Sequence, residues 1–161
     1  MMEFLKNNLI DYTKDQHDYI QTIFDEFKEC GPHFMSFISS KDKETFYISN
    51  IKDWERVFIE ENFLEKDAFN FIEETTSPRK WICWNNLSPK YDPYGTITRR
   101  IQVCQTVKSA SFIIPVDDRL NTFNFAFDHD LDIEKFIWEN KLLIENYTLG
   151  VSKILFQSGH K

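Results

Sequence analysis

The chain has 161 residues, 42% of them hydrophobic, and a formal net charge of −7 at pH 7. This length suits one domain with an adequate core, and the hydrophobic content excludes a disordered chain. The acidic balance disfavours a chain that binds nucleic acid by itself. Apolar runs are too short for a transmembrane helix or the core of a signal peptide, so we expect a cytoplasmic protein without membrane contact.

The three cysteines, Cys30, Cys83 and Cys104, are widely spaced. They form no CxxC pair and no metal-ligand spacing with the four histidines. An odd number of scattered cysteines predicts free, buried thiols in a reducing compartment. The sequence therefore predicts neither a disulfide framework nor a metal site. It also contains no Gly-rich phosphate loop, nucleophile elbow or HExxH motif, so we expect no enzyme activity.

The first half of the chain predicts three helices and one β-hairpin. Apolar residues at helical spacing, beginning with Ile20 and ending with Phe27, define the first helix, and Gly31-Pro32 ends it. Alternating segments then flank a polar turn at residues 40–43, which is the pattern of a hairpin. The predicted bounds are 14–29 for the first helix, 33–39 and 44–50 for the strands, and 51–61 and 66–75 for the next two helices.

The second half predicts three more strands and two more helices. We expect a strand at 80–86, a loop at 88–95, a helix at 96–108, strands at 110–116 and 122–127 joined by a loop at 117–121, and a helix at 132–156. Gly150 is expected to interrupt that last helix. The order of elements predicts a single α+β domain over residues 1–161. We expect an α-β-α sandwich, in which helices cover both faces of a five-stranded, mostly antiparallel sheet.

The aromatic content is high, with 16 Phe, 4 Trp and 6 Tyr. Aromatic side chains on this scale are typical either of a packed core or of the lining of a cavity for an apolar ligand. Composition alone leaves both interpretations open.

Three short motifs occur in a fixed order along these elements. In the first, Trp54 is followed four residues later by Phe58 and thirteen residues later by Asp67. In the second, Trp84 ends a short predicted strand after a turn containing Pro78, and Trp81 is the other candidate for the same motif position. The third is the strand Ser-Phe-Ile-Ile-Pro-Val at 111–116. Together the motifs resemble the LuxR-type autoinducer-binding domain, and the resemblance covers about residues 14–156.

The resemblance implies a sensor domain for quorum sensing that binds an acyl-homoserine lactone or a similar amphipathic signal. In this family pattern the Trp54 indole donates a hydrogen bond to the ligand, Asp67 accepts from its amide, and Trp84 walls its ring. The alkyl tail lies among apolar side chains. The implied ligand contacts are Asn50, Trp54, Phe58, Asp67, Phe69, Trp84, Ile113, Phe125 and Phe127, with no catalytic residue, metal or cofactor.

Several positions differ from the family pattern. Asn50 stands where a Tyr is common, Phe58 lacks a hydroxyl, Ala68 replaces a Pro and Ser111 replaces a Gly. Phe127 falls where a gap-free comparison places a small hydroxyl residue, so Phe125 and Phe127 are expected to fill part of the pocket. A different small signal and a self-filled pocket therefore both stay open.

LuxR-type regulators carry a DNA-binding helix-turn-helix domain, and we expect none in this chain and no direct contact with nucleic acid. The resemblance implies a homodimer, or a heterodimer with a LuxR-type regulator. A ligand-independent protein–protein module that pairs with such a regulator is the alternative function. A wide apolar stripe on the last helix would provide the surface for such pairing, although packing on the sheet explains such a stripe equally well.

Overall fold

The computed structural model describes residues 9–42, 44–61, 63, 80–84 and 94–156. The helices within these residues are α1 (Lys14–Lys28), α2 (Lys52–Glu60), α3 (Thr96–Cys104) and α4 (Ile133–Phe156). The strands are β1 (Phe34–Lys41), β2 (Glu44–Ser49), β3 (Lys80–Cys83), β4 (Lys108–Val116) and β5 (Arg119–Phe127). Among the described helices, none has the length and apolar character needed to span a membrane.

The strands form one open antiparallel sheet in the order β2-β1-β5-β4-β3. Because successive side chains of a strand point to opposite faces, the register divides the sheet residues into two sets. We call one side the aromatic face, which carries Met35, Phe37, Phe112, Phe123 and Phe125. We call the other side the polar face, which carries Ser36, Ile38, Ser111, Ile113, Thr122 and Asn124.

Helices α1 and α4 cover the aromatic face. A capping box starts α1: the Thr13 hydroxyl accepts from the Gln16 backbone N–H at 3.1 Å, and the Gln16 side chain accepts from the Thr13 N–H at 2.8 Å. Phe27 of α1 packs edge-to-face on Phe123 and Phe125, and Phe136 of α4 joins the same cluster. Helix α2 covers the polar face, so helices lie on both sides as predicted.

The last helix runs without interruption from Ile133 to Phe156, so the predicted break at Gly150 is wrong. A Cβ at Gly150 would lie 2.7 Å from the Tyr19 hydroxyl oxygen. The missing side chain therefore leaves room for the Tyr19 hydroxyl of α1 against α4. Glycine serves here in helix packing, and the intrahelical hydrogen bonds around it hold without a break.

Two element boundaries differ from the prediction because single residues adopt left-handed backbone angles. Asp117 and Asp118 have φ of 50° and 66°, which builds a two-residue turn, so β5 begins at Arg119 and not at 122. Gln105 has φ of 56° and ends α3 at Cys104, four residues before the predicted end. The following strand β4 starts correspondingly early, at Lys108.

The α+β class and the five-stranded antiparallel sheet are confirmed. Strand β3 ends at Cys83, where the prediction extended to 86. The predicted helix at 66–75 and most of the predicted loop at 88–95 lie outside the described residues.

Candidate functional site

Cross-strand pairing places small and polar residues at the centre of the polar face. In one row, Asn124 of β5 pairs with Ser36 of β1 on one side and with Ser111 of β4 on the other. In the next row, Thr122 pairs with Ile38 and Ile113 in the same way. Side chains directly opposite each other in such pairs are close neighbours, so each row is a continuous strip across three strands.

A chain of hydrogen bonds links Trp84, which follows β3, to the three strands of the first row. The Trp84 indole N–H, next to the end of β3, donates to the Ser111 hydroxyl at 2.6 Å. That hydroxyl donates to the side-chain oxygen of Asn124, whose amide donates to the Ser36 hydroxyl at 3.0 Å. All four residues are at most 7% exposed. We call this set the polar relay. Because its members are partnered, the relay can be buried at little cost.

Thr122 has no such partner. Its side chain is 1% exposed, and its hydroxyl oxygen is buried without a hydrogen bond. A buried hydroxyl left unsatisfied costs stability, and native structures hold few of them. This hydroxyl lies on the same strand and the same face as Asn124, one row away.

Trp54 of α2 is buried in an aromatic cluster that covers the β1 side of the polar face. The centroid of its ring lies 5.9 Å from the ring centroid of Phe58, 5.8 Å from that of Phe63 and 6.5 Å from that of Phe34. Phe58 also stacks on Tyr47 of β2, with ring centroids 4.2 Å apart. The clusters around Trp54 and Trp84 thus flank the rows that contain Asn124 and Thr122.

Ile113 lies with Trp84 on the β4 side of the polar face, as the sequence suggested. Asn50 has a different environment. Its side-chain oxygen accepts from the Met35 backbone N–H at 2.7 Å, and its amide donates to the His33 carbonyl at 3.1 Å. These bonds hold the start of β1, so the structure gives the Asn50 side chain a role in joining β1 and β2.

Phe125 and Phe127, which were expected to fill part of the pocket, lie on the aromatic face. Phe125 packs on Phe27 and Phe136, and Phe127 packs on Phe136 at 4.8 Å between ring centroids. The alternation of β5 requires this, since Asn124 and Ala126 face the other side. Both rings therefore lie on the face of the sheet opposite to Trp54 and Trp84, and their assignment as ligand contacts stays a prediction. Asp67 and Phe69 lie outside the described residues.

The sequence interpretation missed three functional candidates, namely Ser36, Thr122 and Asn124. A signal for them exists in the strand pattern. Small and polar residues recur at every second position, at 36 in β1, at 109 and 111 in β4, and at 122 and 124 in β5. Period-two polarity inside buried strands indicates a face that is not packed as ordinary core.

Arg100 and Cys104 of α3 lie at the edge of the polar face. The Arg100 guanidinium donates to the Ser109 hydroxyl at 2.9 Å and lies over the Phe34 ring, 5.3 Å from its centroid. Burial raises the pKa of the Cys104 thiol to about 12, against a smaller opposing effect of Arg100. The three cysteines are free, but Cys30 is exposed, which corrects the expectation that all of them are buried.

Two other features of the described residues carry no part of this site. A half-open cleft of about 330 Å³ lies beside the end of α4, lined partly by Lys41, Arg119 and Phe156. None of the predicted ligand contacts that the structure describes lines it. No group of three or more His, Cys, Asp or Glu residues in the described ranges is arranged to hold a metal ion.

Comparison with protein-family models gives no match, and comparison with curated proteins gives none either. Solved structures do match. Escherichia coli SdiA superposes with a TM-score of 0.67 at 11% identity, over 94% of this chain and 66% of SdiA. SdiA in complex with octanoyl-rac-glycerol gives a TM-score of 0.66 at 10% identity, over 98% of this chain and 65% of that one.

Two further structures have the same fold. CepR2 from Burkholderia cenocepacia, an N-acylhomoserine lactone dependent LuxR family transcription factor, has a TM-score of 0.56 at 10% identity, over 87% of this chain and 94% of CepR2. The LBD domain of VqsR from Pseudomonas aeruginosa has a TM-score of 0.59 at 10% identity, over 91% of this chain and 100% of that domain. The chain therefore has the fold of LuxR-family autoinducer-binding domains. It spans about two thirds of the length of SdiA.

Proposed function

We propose that the chain is a small-molecule sensor domain of the LuxR type, which binds an acyl-homoserine lactone or a similar neutral acyl signal between the polar face and its covering helix. The observation that carries this proposal is the contrast in side-chain size across one sheet. The aromatic face is filled by Phe rings, whereas the centre of the polar face holds Ser, Thr, Asn and Ala between two buried tryptophans.

The fold supports the same function. CepR2 is dependent on N-acylhomoserine lactone, and SdiA has been solved with octanoyl-rac-glycerol. Both ligands join an alkyl chain to an oxygen-rich neutral head, and each buried CH₂ of such a chain contributes about 0.8 kcal/mol. Tail burial would supply affinity, and polar groups such as Asp67 would orient the head. Binding of this kind breaks no covalent bond, so the proposal describes a receptor and not an enzyme.

The test is the Tm of the protein with and without a panel of acyl-homoserine lactones of graded tail length and octanoyl-rac-glycerol. A ligand at a hundred times its Kd stabilises the folded state by about 2.7 kcal/mol, which raises Tm by several degrees. We expect a shift that grows with tail length and that Trp54→Phe reduces. Absence of any shift across the panel contradicts the proposal.

The matched control is Trp81→Phe. Trp81 packs on Phe112 at 4.6 Å between ring centroids, on the aromatic face. The same substitution there should lower Tm without changing the ligand-induced shift. Equal loss of ligand response in both variants would mean that Trp54 acts through general stability. The Asp67→Asn variant tests the predicted carboxylate directly: we expect a folded protein with a weaker lactone response.

A second candidate function, pairing with another protein chain, is favoured by the outer surface of α4. Trp138 and Leu142 lie one turn apart on this helix and are 79% and 74% exposed, and Leu149 is 39% exposed. Large apolar side chains grouped on a surface commonly mark an interaction site. We propose that this stripe mediates dimerisation, either with a second copy or with a LuxR-type regulator.

Sedimentation analysis tests the pairing. Leu142→Arg should shift a dimer to a monomer, whereas Lys141→Ala, an exposed change at the next position, should not. A wild-type protein that is monomeric at all concentrations, with and without ligand, contradicts homodimerisation. A normal ligand response in Leu142→Arg would separate this surface from the ligand site.

A further inference from the structure

The cleft beside the end of α4, which we call the α4 cleft, lies on the opposite side of the sheet from the proposed ligand site. Strand alternation places Lys41 of β1, Val116 of β4 and Arg119 of β5 on the aromatic face, and Leu155 and Phe156 come from α4. The volume of about 330 Å³ is at the lower end of the range for small-molecule pockets. The cleft therefore has the size for a small ligand of its own.

The Arg119 side chain is buried and held in a fixed direction. The residue is 8% exposed, its Nε donates to the Ser39 hydroxyl at 3.1 Å, and its Nη2 lies 3.4 Å from the Ser39 carbonyl oxygen. The Phe156 ring covers one face of the guanidinium, with its centroid 3.8 Å from Arg119 Cζ. A guanidinium fixed in this way is pre-organised to bind a planar carboxylate.

Two polar groups of the α4 cleft retain hydrogen-bonding capacity. Arg119 Nη1 lies 4.0 Å from Glu44 Oε2, which is beyond hydrogen-bond distance. Ser152 lines the cleft and is 2% exposed, and its hydroxyl bonds to no other residue in the described part of the chain. A cation withdrawn from water needs an anion or acceptors to offset the lost hydration. The lining holds Lys41 and Arg119 against one carboxylate, Asp117, so cations outnumber anions.

We propose that the α4 cleft is a second binding site, which takes a small carboxylate with an apolar body. The carboxylate accepts from Arg119, and Ser152 supplies a further donor. The apolar body lies against Val116 and Leu155. Glu44 is 71% exposed and competes for the same guanidinium, so the ligand is a monoanion that can displace a weak surface pair.

The experiment is an NMR titration of the isotope-labelled whole chain at constant ionic strength. The probes are sodium benzoate, its neutral counterpart benzamide, and inorganic phosphate. Benzoate should shift the Arg119 Nε–H resonance and the backbone resonances of residues 116–119 and 152–156. It should bind at least about tenfold more tightly than benzamide, because hydrogen bonds to a charged partner are the stronger ones. Phosphate should bind more weakly than benzoate, since it cannot use the apolar lining.

Three variants test the assigned roles. Arg119→Lys keeps the charge but loses the planar fork, so it should weaken benzoate binding several-fold. Ser152→Ala should weaken binding by roughly 2- to 12-fold, which corresponds to one net hydrogen bond. Glu44→Gln removes the competing carboxylate and should tighten binding by up to about fivefold. The last two substitutions keep the test possible if Arg119→Lys does not fold.

The matched control is Arg99→Lys. Arg99 lies on α3, where its Nε and Nη2 already donate to the Glu61 carboxylate at 3.2 and 2.9 Å. This variant should bind benzoate as the wild type does. Trp54→Phe should also leave benzoate binding unchanged, because Trp54 lies on the other side of the sheet.

The outcomes separate this inference from the proposed function. Equal affinity for benzoate and benzamide overturns the inference, and so do benzoate-induced shifts confined to the Trp54 and Trp84 indoles. Phosphate binding as tight as that of benzoate overturns the assigned ligand class. None of these results bears on the acyl signal. A chain that binds benzoate at the α4 cleft but responds to no lactone and not to octanoyl-rac-glycerol supports the inference and contradicts the proposed function alone.

Discussion

The aromatic face and the polar face are built on the same strands, yet their side chains differ in size and in hydrogen bonding. On the aromatic face, Phe rings from β1, β4 and β5 interlock with α1 and α4 through edge-to-face contacts. On the polar face, the centre holds Asn124, Ala126 and Thr122. The first arrangement maximises buried apolar area, whereas the second gives up area and gains directional hydrogen bonds.

Under the proposed function, one face of the sheet mainly stabilises the fold and the other mainly recognises the ligand. The Phe rings at the centre of the aromatic face need no hydrogen-bond partner. Their packing can therefore stabilise the folded state without a ligand. The polar face holds buried polar atoms, which require hydrogen-bond partners in particular directions. Such groups add little net stability when satisfied but penalise every wrong partner. Substitutions on the two faces should therefore have different consequences.

The largest expected effect is that of Phe123→Ala at the centre of the aromatic face. Phe123 is fully buried and contacts Phe27, Phe24 and Tyr147. Removing its ring leaves a cavity, which should lower the free energy of unfolding by about 3–5 kcal/mol. Urea denaturation followed by fluorescence measures this loss.

Phe123→Leu retains most of the apolar volume and should cost less, which keeps the measurement possible if the alanine variant does not fold. Ligand preference should be unchanged in whichever variant folds. A loss below about 1 kcal/mol for the alanine variant would mean that the aromatic face does not dominate stability.

A smaller effect is expected from Asn124→Leu, which removes the central member of the polar relay. The Ser111 hydroxyl then loses its acceptor and the Ser36 hydroxyl loses its donor, both in a buried setting. We expect a loss of about 1–3 kcal/mol in the free energy of unfolding. Urea denaturation of this variant measures the loss.

The control combines Asn124→Leu with Ser36→Ala and keeps Ser111, because the Ser111 hydroxyl accepts from the Trp84 indole. It replaces both partners of the hydrogen bond between Asn124 and Ser36, and such a replacement is close to neutral. The double variant should therefore recover part of the loss. Additive losses for the two substitutions would show that the relay is not a coupled unit.

The first of these predictions follows from sequence, and the second needs the register. Alternating apolar and polar residues around Phe123 and Phe125 place a strand there with one apolar face. The sequence does not show which helices this apolar face packs against, because helices cover both sides of the sheet. The sequence resemblance grouped Phe125 and Phe127 with Trp54 as ligand contacts, and only the pairing of Asn124 with Ser36 shows that the two Phe rings lie on the opposite face of the sheet.

Trp54, Trp84 and Ile113 could be placed on one face because they belong to motifs whose spacing spans several elements. Asn50 could not be understood in this way, since its hydrogen bonds go to the backbone at Met35 and His33, fifteen or more positions away in sequence. The hairpin loop at 117–121 was predicted in the right place but too long, since the turn has only two residues. Asp is less permissive than Gly at positive φ, and the sequence offers no Gly there.

The smallest effect at neutral pH is expected from the Cys104 thiol, whose consequences emerge only in alkali. Burial raises its pKa to about 12, so the folded state keeps this proton over the interval from about pH 9 to about pH 12, while the unfolded state releases it. The stabilisation from the protonated thiol is thus fully present below about pH 9 and declines as pH rises. Cys104→Ala should show a shallower fall in the free energy of unfolding between pH 8 and pH 10.5 than the wild type.

Thiol labelling compares the reactivity of an exposed cysteine with that of the buried Cys104. Cys30 follows α1 and is exposed, whereas Cys104 is buried at the edge of the polar face. The thiolate is the reactive form, and a thiol of pKa about 12 holds only about one part in ten thousand as thiolate at pH 8. Mass spectrometry after iodoacetamide treatment should therefore find Cys30 alkylated well before Cys104. Equal labelling of the two would show that the polar face opens readily, and a ligand that then protects Cys104 alone would place that opening at the proposed site.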